Sequence, residues 1–122
     1  MATRGEAMKY LRGINGMKEG DDGLFSYEMS WAEDGRSQLV ILKVLDEFII
    51  LTSAFAFKDD ITAHKALDLA AGSFGVVDLG KYYGLRHVIF LEDLDESEIL
   101  NGVSFLAGQA DTLEGQVGGD AL

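Results

Sequence analysis

From Leu24 to Trp31 the order Phe25, Tyr27, Met29, Trp31 alternates with Ser26, Glu28 and Ser30. That period of two predicts a strand with one wetted face. Ala32 to Arg36, centred on Asp34-Gly35, supplies the residues of a reversing turn. Gln38 to Leu45 is rich in β-branched and aliphatic residues, and Asp46-Glu47 separates it from Phe48 to Phe57. Three strands joined by such short loops predict an antiparallel meander. Near the end of the chain the period changes. Ile99, Val103, Leu106, Ala110, Leu113 and Val117 recur alternately four and three residues apart within Leu94 to Val117. A long helix with one continuous apolar stripe needs a sheet or another subunit to cover it.

Helix boundaries carry their own signals. Thr3 and Glu6 form a capping-box spacing ahead of Met8, Leu11 and Ile14, and Gly13 and Gly16 end that helix early. Gly20 to Gly23 reads as an exposed turn. After Lys58 a second helix is expected, with Asp59 or Asp60 at its first-turn amides, one face formed by Ala63, Ala66, Leu67, Ala70 and Ala71, and Gly72 as its stop. Phe74 to Leu79 and Leu85 to Leu91 are two further strands around a turn at Gly80 to Gly84. The last helix opens at Asp95, where Glu98 completes a second capping box and Leu94 staples to Ile99. Five acids among Glu92 to Glu98 suit the positive end of its dipole. The tail GGDAL, residues 118–122, is expected to fray.

The order is therefore α-β-β-β-α-β-β-α, an α+β fold in which helices cover one side of an antiparallel sheet of about five strands. The central helix also leaves room for a crossover that would insert a later strand in parallel. With 122 residues and no proline-rich linker, the chain is expected to form one domain over 1–122. It lacks cysteine, which removes disulfides, thiol nucleophiles and thiolate metal sites, and a reducing cytoplasmic location is the simplest expectation. No signal-like or membrane-spanning run is visible. Ten Lys plus Arg against twenty-one Asp plus Glu gives a formal charge of −11, which repels nucleic acid and anionic lipid. Basic, neutral or apolar protein partners are the expectation, with no cofactor.

Candidate chemistry is sparse. His64 lies four residues from both Asp60 and Asp68, a helical spacing that can bind a divalent ion or poise a base, but a solvated helical face with a modest ion pair is the preferred reading, because ligand-bearing motifs normally bring more distant contributors too. Tyr82, Tyr83, Arg86 and His87 are a candidate polar-aromatic patch for a partner, and Trp31, Phe55 and Phe57 are candidate interface aromatics whose alternative is core filling. Gly72-Ser73-Phe74-Gly75 runs from helix to strand, the wrong direction for a phosphate loop. No serine stands in a nucleophile elbow, and the acids of 92–98 crowd a helix start instead of straddling a cleft.

Two segments, HKALDLAAGSFGVVDL and YYGLRHVIFLEDLDESEILNGVSFLAGQAD, together with the element order, resemble the YbjN-type family of bacterial proteins, which is related in fold to secretion chaperones of the Tir-chaperone kind. The resemblance spans most of Leu24 to Val117. Ala66, Leu67, Leu69 and Ala70 match its central helix, and Arg86 and Leu91 match the strand before the last helix. It implies a twisted antiparallel sheet flanked by helices, often a homodimer, in a group named as sensory-transduction regulators. The similar chaperones bind extended client segments in apolar grooves, and the short first helix here, interrupted by Gly13 and Gly16, departs from a full groove at that end. Three readings compete: a noncatalytic homodimeric protein-binding module, a small ligand- or metal-binding hydrolase centred on His64 or His87, and a structural or allosteric subunit without a client groove.

Overall fold

The structure, a computed structural model, describes residues 2–31, 36–72 and 74–118. Helix α1 (Arg4–Arg12) begins as its sequence dictates. The Glu6 N–H donates to Thr3 Oγ1 and the Thr3 N–H donates to Glu6 Oε1, each at 3.2 Å, while Ala7 and Leu11 are buried. The next element was not legible in the pattern. Lys18–Glu19 form a two-residue strand, β1, opposite Ser26 and Phe25. The turn that follows places Asp22 and Gly23 at φ of 53° and 76°. A Cβ on Gly23 would stand 2.9 Å from the Val44 carbonyl oxygen, so both the left-handed backbone and the close approach require glycine.

Strands β2 (Leu24–Trp31), β3 (Arg36–Val44) and β4 (Phe48–Phe57) form the expected meander. The reversing turn Ala32–Gly35 lies outside the described residues. With β5 (Gly75–Asp78) and β6 (Tyr82–Phe90) they make a six-stranded sheet, ordered β1-β2-β3-β4-β6-β5 and antiparallel throughout. The sixth strand is β1, and neither late strand inserts in parallel. The β5–β6 turn is tighter than expected because Asp78 accepts the Gly80 N–H at 2.8 Å, which lets Tyr82 and Tyr83 join β6 opposite Phe57 and Ala56.

One seam interrupts the sheet. Pairing of β3 with β4 runs from Val44↔Ile49 only to Ile41↔Thr52. Beyond it side chains replace the ladder: Gln38 Nε2 donates to Ser53 Oγ at 2.9 Å and to the Ala54 carbonyl at 2.5 Å, and the Ser53 hydroxyl donates to the Leu39 carbonyl at 2.7 Å. Gln38 and Ser53 are both buried, and Gln38 Oε1 has no hydrogen-bond partner among the described residues.

Helix α2 (Ala63–Leu69) starts one turn later than expected, with Thr62 as its cap: the Lys65 N–H donates to Thr62 Oγ1 at 3.1 Å. Asp59 and Asp60 precede the helix and do not cap it. Only Ala66 and Ala70 of its expected apolar face are buried. Ala63 and Ala71 are exposed and Leu67 is 59% exposed, because a helix of two turns offers a narrow contact that half-buried Leu69 completes. Helix α3 (Glu96–Gly118) follows a 3-10 turn at Leu91–Asp93. Asp95 accepts the Glu98 N–H at 2.8 Å, and Leu94 and Ile99 are both buried. The stripe Ile99, Val103, Leu106, Ala110 and Leu113 seals against β3, β4 and β6, with Val117 half-buried at its end. Full burial of each large aliphatic side chain stabilises the fold by roughly 1.5–3 kcal/mol. Residues 119–122 of the expected frayed tail lie outside the described residues.

Candidate functional site

Strand alternation divides the sheet into two unlike faces. Phe25, Val40, Leu42, Ile49, Leu51 and Leu85 pack toward the helices and are fully or almost fully buried. Several of their neighbours on the opposite face are also apolar, which a solvated face does not need. Leu24 is 41% exposed, Leu39 48% and Phe90 67%. A concavity of about 560 Å³ lies on this open face, with Leu39, Ile41, Ile50, Thr52, Ala54 and Tyr82 among its lining. Its charged lining residues are cations, Lys43 and Arg86, in a chain of net charge −11. Lys43 Nζ donates to the Asp22 carbonyl at 2.6 Å and stands 3.8 Å from the Asp22 carboxylate. Arg86 Nε donates to Thr52 Oγ1 at 3.4 Å, a long bond that leaves its charge uncompensated by any acid among the described residues.

The pleat separates the four residues expected to share one patch. Tyr82 and Arg86 belong to the open face, whereas Tyr83 and His87 point toward the helices with Leu85 and Ile89. Phe57 joins the open-face pair, its ring centroid 4.7 Å from that of Tyr82. Trp31 sits on the helix side, opposite Arg36, and is half-buried against the core. Phe55 is fully buried beside an irregularity in the β4–β6 register, so it fills the core and offers no surface to a partner. Of the seven candidates, Phe57, Tyr82 and Arg86 come together.

Neither histidine gathers a catalytic set. His64 Nε2 lies 3.4 Å from Asp68 Oδ2 with side chains 87% and 65% exposed, the solvated ion pair that helical spacing allows. Among the described residues no group of three His, Asp or Glu is placed to hold a metal ion. His87 has its ring 4.9 Å from Phe74, and burial lowers its pKa from the ordinary 6.5, favouring neutral imidazole. Asp95 is occupied as a cap: hydrogen bonds from the Ser97 hydroxyl at 2.7 Å and then from the Glu98 N–H hold its carboxyl below the ordinary range.

A second concavity, of about 600 Å³, escaped the sequence reading. It lies between β6 and the first half of α3, lined by Phe74, His87, Ile89, Glu98, Gly102 and Phe105 among others. Phe74 meets Phe105 edge-on at 5.7 Å, yet Phe105 remains 64% exposed. The available signal was the position of Phe105 off the buried stripe of α3, a large aromatic where a solvated helix face would carry a polar residue.

No family model matches the chain, and no curated protein matches it. Among solved structures it is similar to a chain in the crystal structure of the ExsC–ExsE complex, with a TM-score of 0.68 at 16% identity, covering 96% of this chain and 97% of that one. The likeness establishes the fold, a single α+β unit with an antiparallel sheet packed against helices, of the kind the sequence led us to expect. No helix among the described residues is long and apolar enough to cross a membrane.

Proposed function

We propose that this chain is a noncatalytic protein-binding module, chaperone-like or regulatory, that works as a cytoplasmic homodimer. The observation that carries the reading is the apolar face of the sheet opposite α3, where Leu24 and Leu39 stay open to solvent at a concavity edged by Lys43 and Arg86. Exposed apolar area of this kind marks an interaction surface. Phe57, Tyr82 and Arg86 are its proposed anchors, since aromatic rings and a guanidinium combine broad contact with directional bonds. The neighbour in fold comes from a structure of a two-protein complex, in keeping with a protein client here. The YbjN-like segments around His64–Leu79 and Tyr82–Asp111 support the regulatory variant of the same reading.

The test is a photoreactive side chain placed at position 39 or 50 of the full-length protein, irradiated in cells. Adducts of twice the chain mass support the homodimer, and adducts with other proteins support a client. A face that yields neither, while a control at solvated Asp68 behaves identically, refutes the assignment. Light scattering on the purified protein gives the oligomeric mass independently.

A further inference from the structure

Small residues at the centre of the open face make its hollow. Thr52 and Ala54 on β4 stand opposite Arg86 and Gly84 on β6, so all of these positions except Arg86 carry short side chains or none. Leu79 leans over the space that Gly84 leaves: a Cβ there would stand 2.6 Å from Leu79 Cδ1. Leu39 and Ile41 bound the hollow on the β3 side, and Leu79 and Tyr82 close it at the β5–β6 turn. Its volume of about 560 Å³ and its apolar walls are those of a small-molecule site.

One charge stands beside it without an opposite. The Arg86 guanidinium engages only Nε, in the long bond to Thr52 Oγ1, and no acid among the described residues answers it. Its neighbour on β5 is Gly75, which has no side chain to cover it. Asp78, the acid on that strand, is already held by Lys58 Nζ at 2.7 Å. Lys43, the other cation of the lining, is drawn to Asp22. A guanidinium with its fork free matches a carboxylate through two parallel bonds. From Arg86 back to Tyr82 is four residues of strand, about 13 Å, along which an elongated apolar body can lie. A chain of charge −11 is repelled as a whole from an anionic bilayer, whereas a lone carboxylate at one guanidinium feels mainly that contact, because the Debye length in physiological salt is about 8 Å. The occupant selected is free in solution, with one negative head and one apolar body.

We propose that the open-face hollow binds a free apolar monocarboxylate of the medium-chain fatty-acid type, its head group on Arg86 and its hydrocarbon over Ala54 and Gly84 between Leu39 and Leu79. The site shares Arg86 and Tyr82 with the surface assigned above to a protein partner but does not require that assignment. Titration of the purified protein and crosslinking in cells therefore fail independently.

The probe is octanoate, titrated into the full-length protein below the concentration at which it self-associates and followed by NMR. Saturable shifts at Leu39, Ile50 and Ala54 are expected, half complete below about 1 mM. Octylammonium, with the same hydrocarbon and the opposite charge, and acetate, with the head group alone, each bind at least about tenfold more weakly. Arg86→Gln changes an exposed position, so it is expected to keep the fold and lose about tenfold in affinity, part of which Arg86→Lys recovers by restoring charge without the fork. Ala54→Leu fills the floor and abolishes binding with Arg86 in place. Should these variants not fold, the comparison of octanoate with octylammonium asks the same question of the unaltered protein. Equal binding of the two overturns the proposal, as does unchanged affinity in folded Arg86→Gln. Absence of saturation up to about 1 mM also overturns it. So do shifts confined to the Phe74–Phe105 concavity, or shifts that appear with fatty-acid-doped phosphatidylcholine vesicles and not with free octanoate.

Discussion

Two glycines in the same helix are expected to respond to one substitution with opposite signs. Gly102 and Gly108 both lie inside α3, and alanine in place of glycine in a helix interior contributes about 1 kcal/mol through backbone entropy. At Gly108 an added Cβ meets nothing within 4 Å, so Gly108→Ala should realise that gain in full. At Gly102 the same methyl would stand 2.9 Å from Ile89 Cδ1, 3.5 Å from Leu51 Cδ2 and 3.7 Å from His87 Cδ2. Only the first contact is impossible as it stands, and it is with the end of a flexible side chain. Overpacking of this kind costs about 1–3 kcal/mol, which offsets the helical gain and leaves Gly102→Ala roughly 1 kcal/mol less stable than the native chain. The two variants should thus differ by about 2 kcal/mol, or several degrees in Tm. Urea denaturation of both, with Ile89→Val and the double variant Gly102→Ala/Ile89→Val, completes a cycle. Ile89→Val alone costs about 1 kcal/mol by leaving a void, and in the double variant the new methyl has the space that Cδ1 vacated. A favourable coupling of about 1 kcal/mol or more is expected. Equal stabilisation by both glycine replacements, or a strictly additive cycle, would refute the close approach of α3 to β6.

Leu106, fully buried in the α3 stripe, should lose about 2–5 kcal/mol as Leu106→Ala in the same denaturation assay. Gln38→Ala takes the donor from the Ala54 carbonyl and from Ser53, and should cost about 1–3 kcal/mol although the side-chain oxygen of Gln38 has no partner among the described residues. Thr62→Ala removes the α2 cap and should lower stability by about 1 kcal/mol. Glu114 has its pKa raised above 4.5, mainly by burial and further by Asp111, with Arg36 opposing. A carboxyl that holds its proton more tightly when folded stabilises the fold fully below the unfolded value of 4.5, and that contribution is lost as pH rises through the folded value. Glu114→Gln should therefore raise Tm at neutral pH and leave it unchanged below 4.5, as a pH series of melts would show.

Where sequence period and capping chemistry agreed, the architecture could be read directly. Thr3 with Glu6, Asp95 with Glu98 and the stripe from Ile99 to Leu113 each specify an element from residues close in sequence. The errors arose where a distant partner decides the outcome. Lys18–Glu19 become a strand only because Phe25 and Ser26 lie alongside, and nothing in a two-residue polar segment announces that. Leu67 reads as buried by helical spacing, but α2 stops after two turns. The candidate patch at Tyr82, Tyr83, Arg86 and His87 was a reading of adjacency in sequence, which a pleated strand converts into opposition across the sheet. Phe57 could be matched with Tyr82 only through the β4–β6 register, and the groove at Phe74 and Phe105 only through packing of segments about thirty residues apart.

The seam at Gln38 gives the sheet an uneven mechanical character. β1, β2 and β3 form one leaf and β4, β6 and β5 another, stitched firmly between Ile41 and Val44 and held above that point by a glutamine and a serine. Two amino-acid side chains bend and rotate more readily than a run of peptide rungs, so the leaves can change their mutual twist at that end while the stitched end stays fixed. Because Gln38, Leu39 and Ala54 also border the open-face hollow, a change of twist at that end alters the width of the hollow and leaves the helix-packed core beneath it closed.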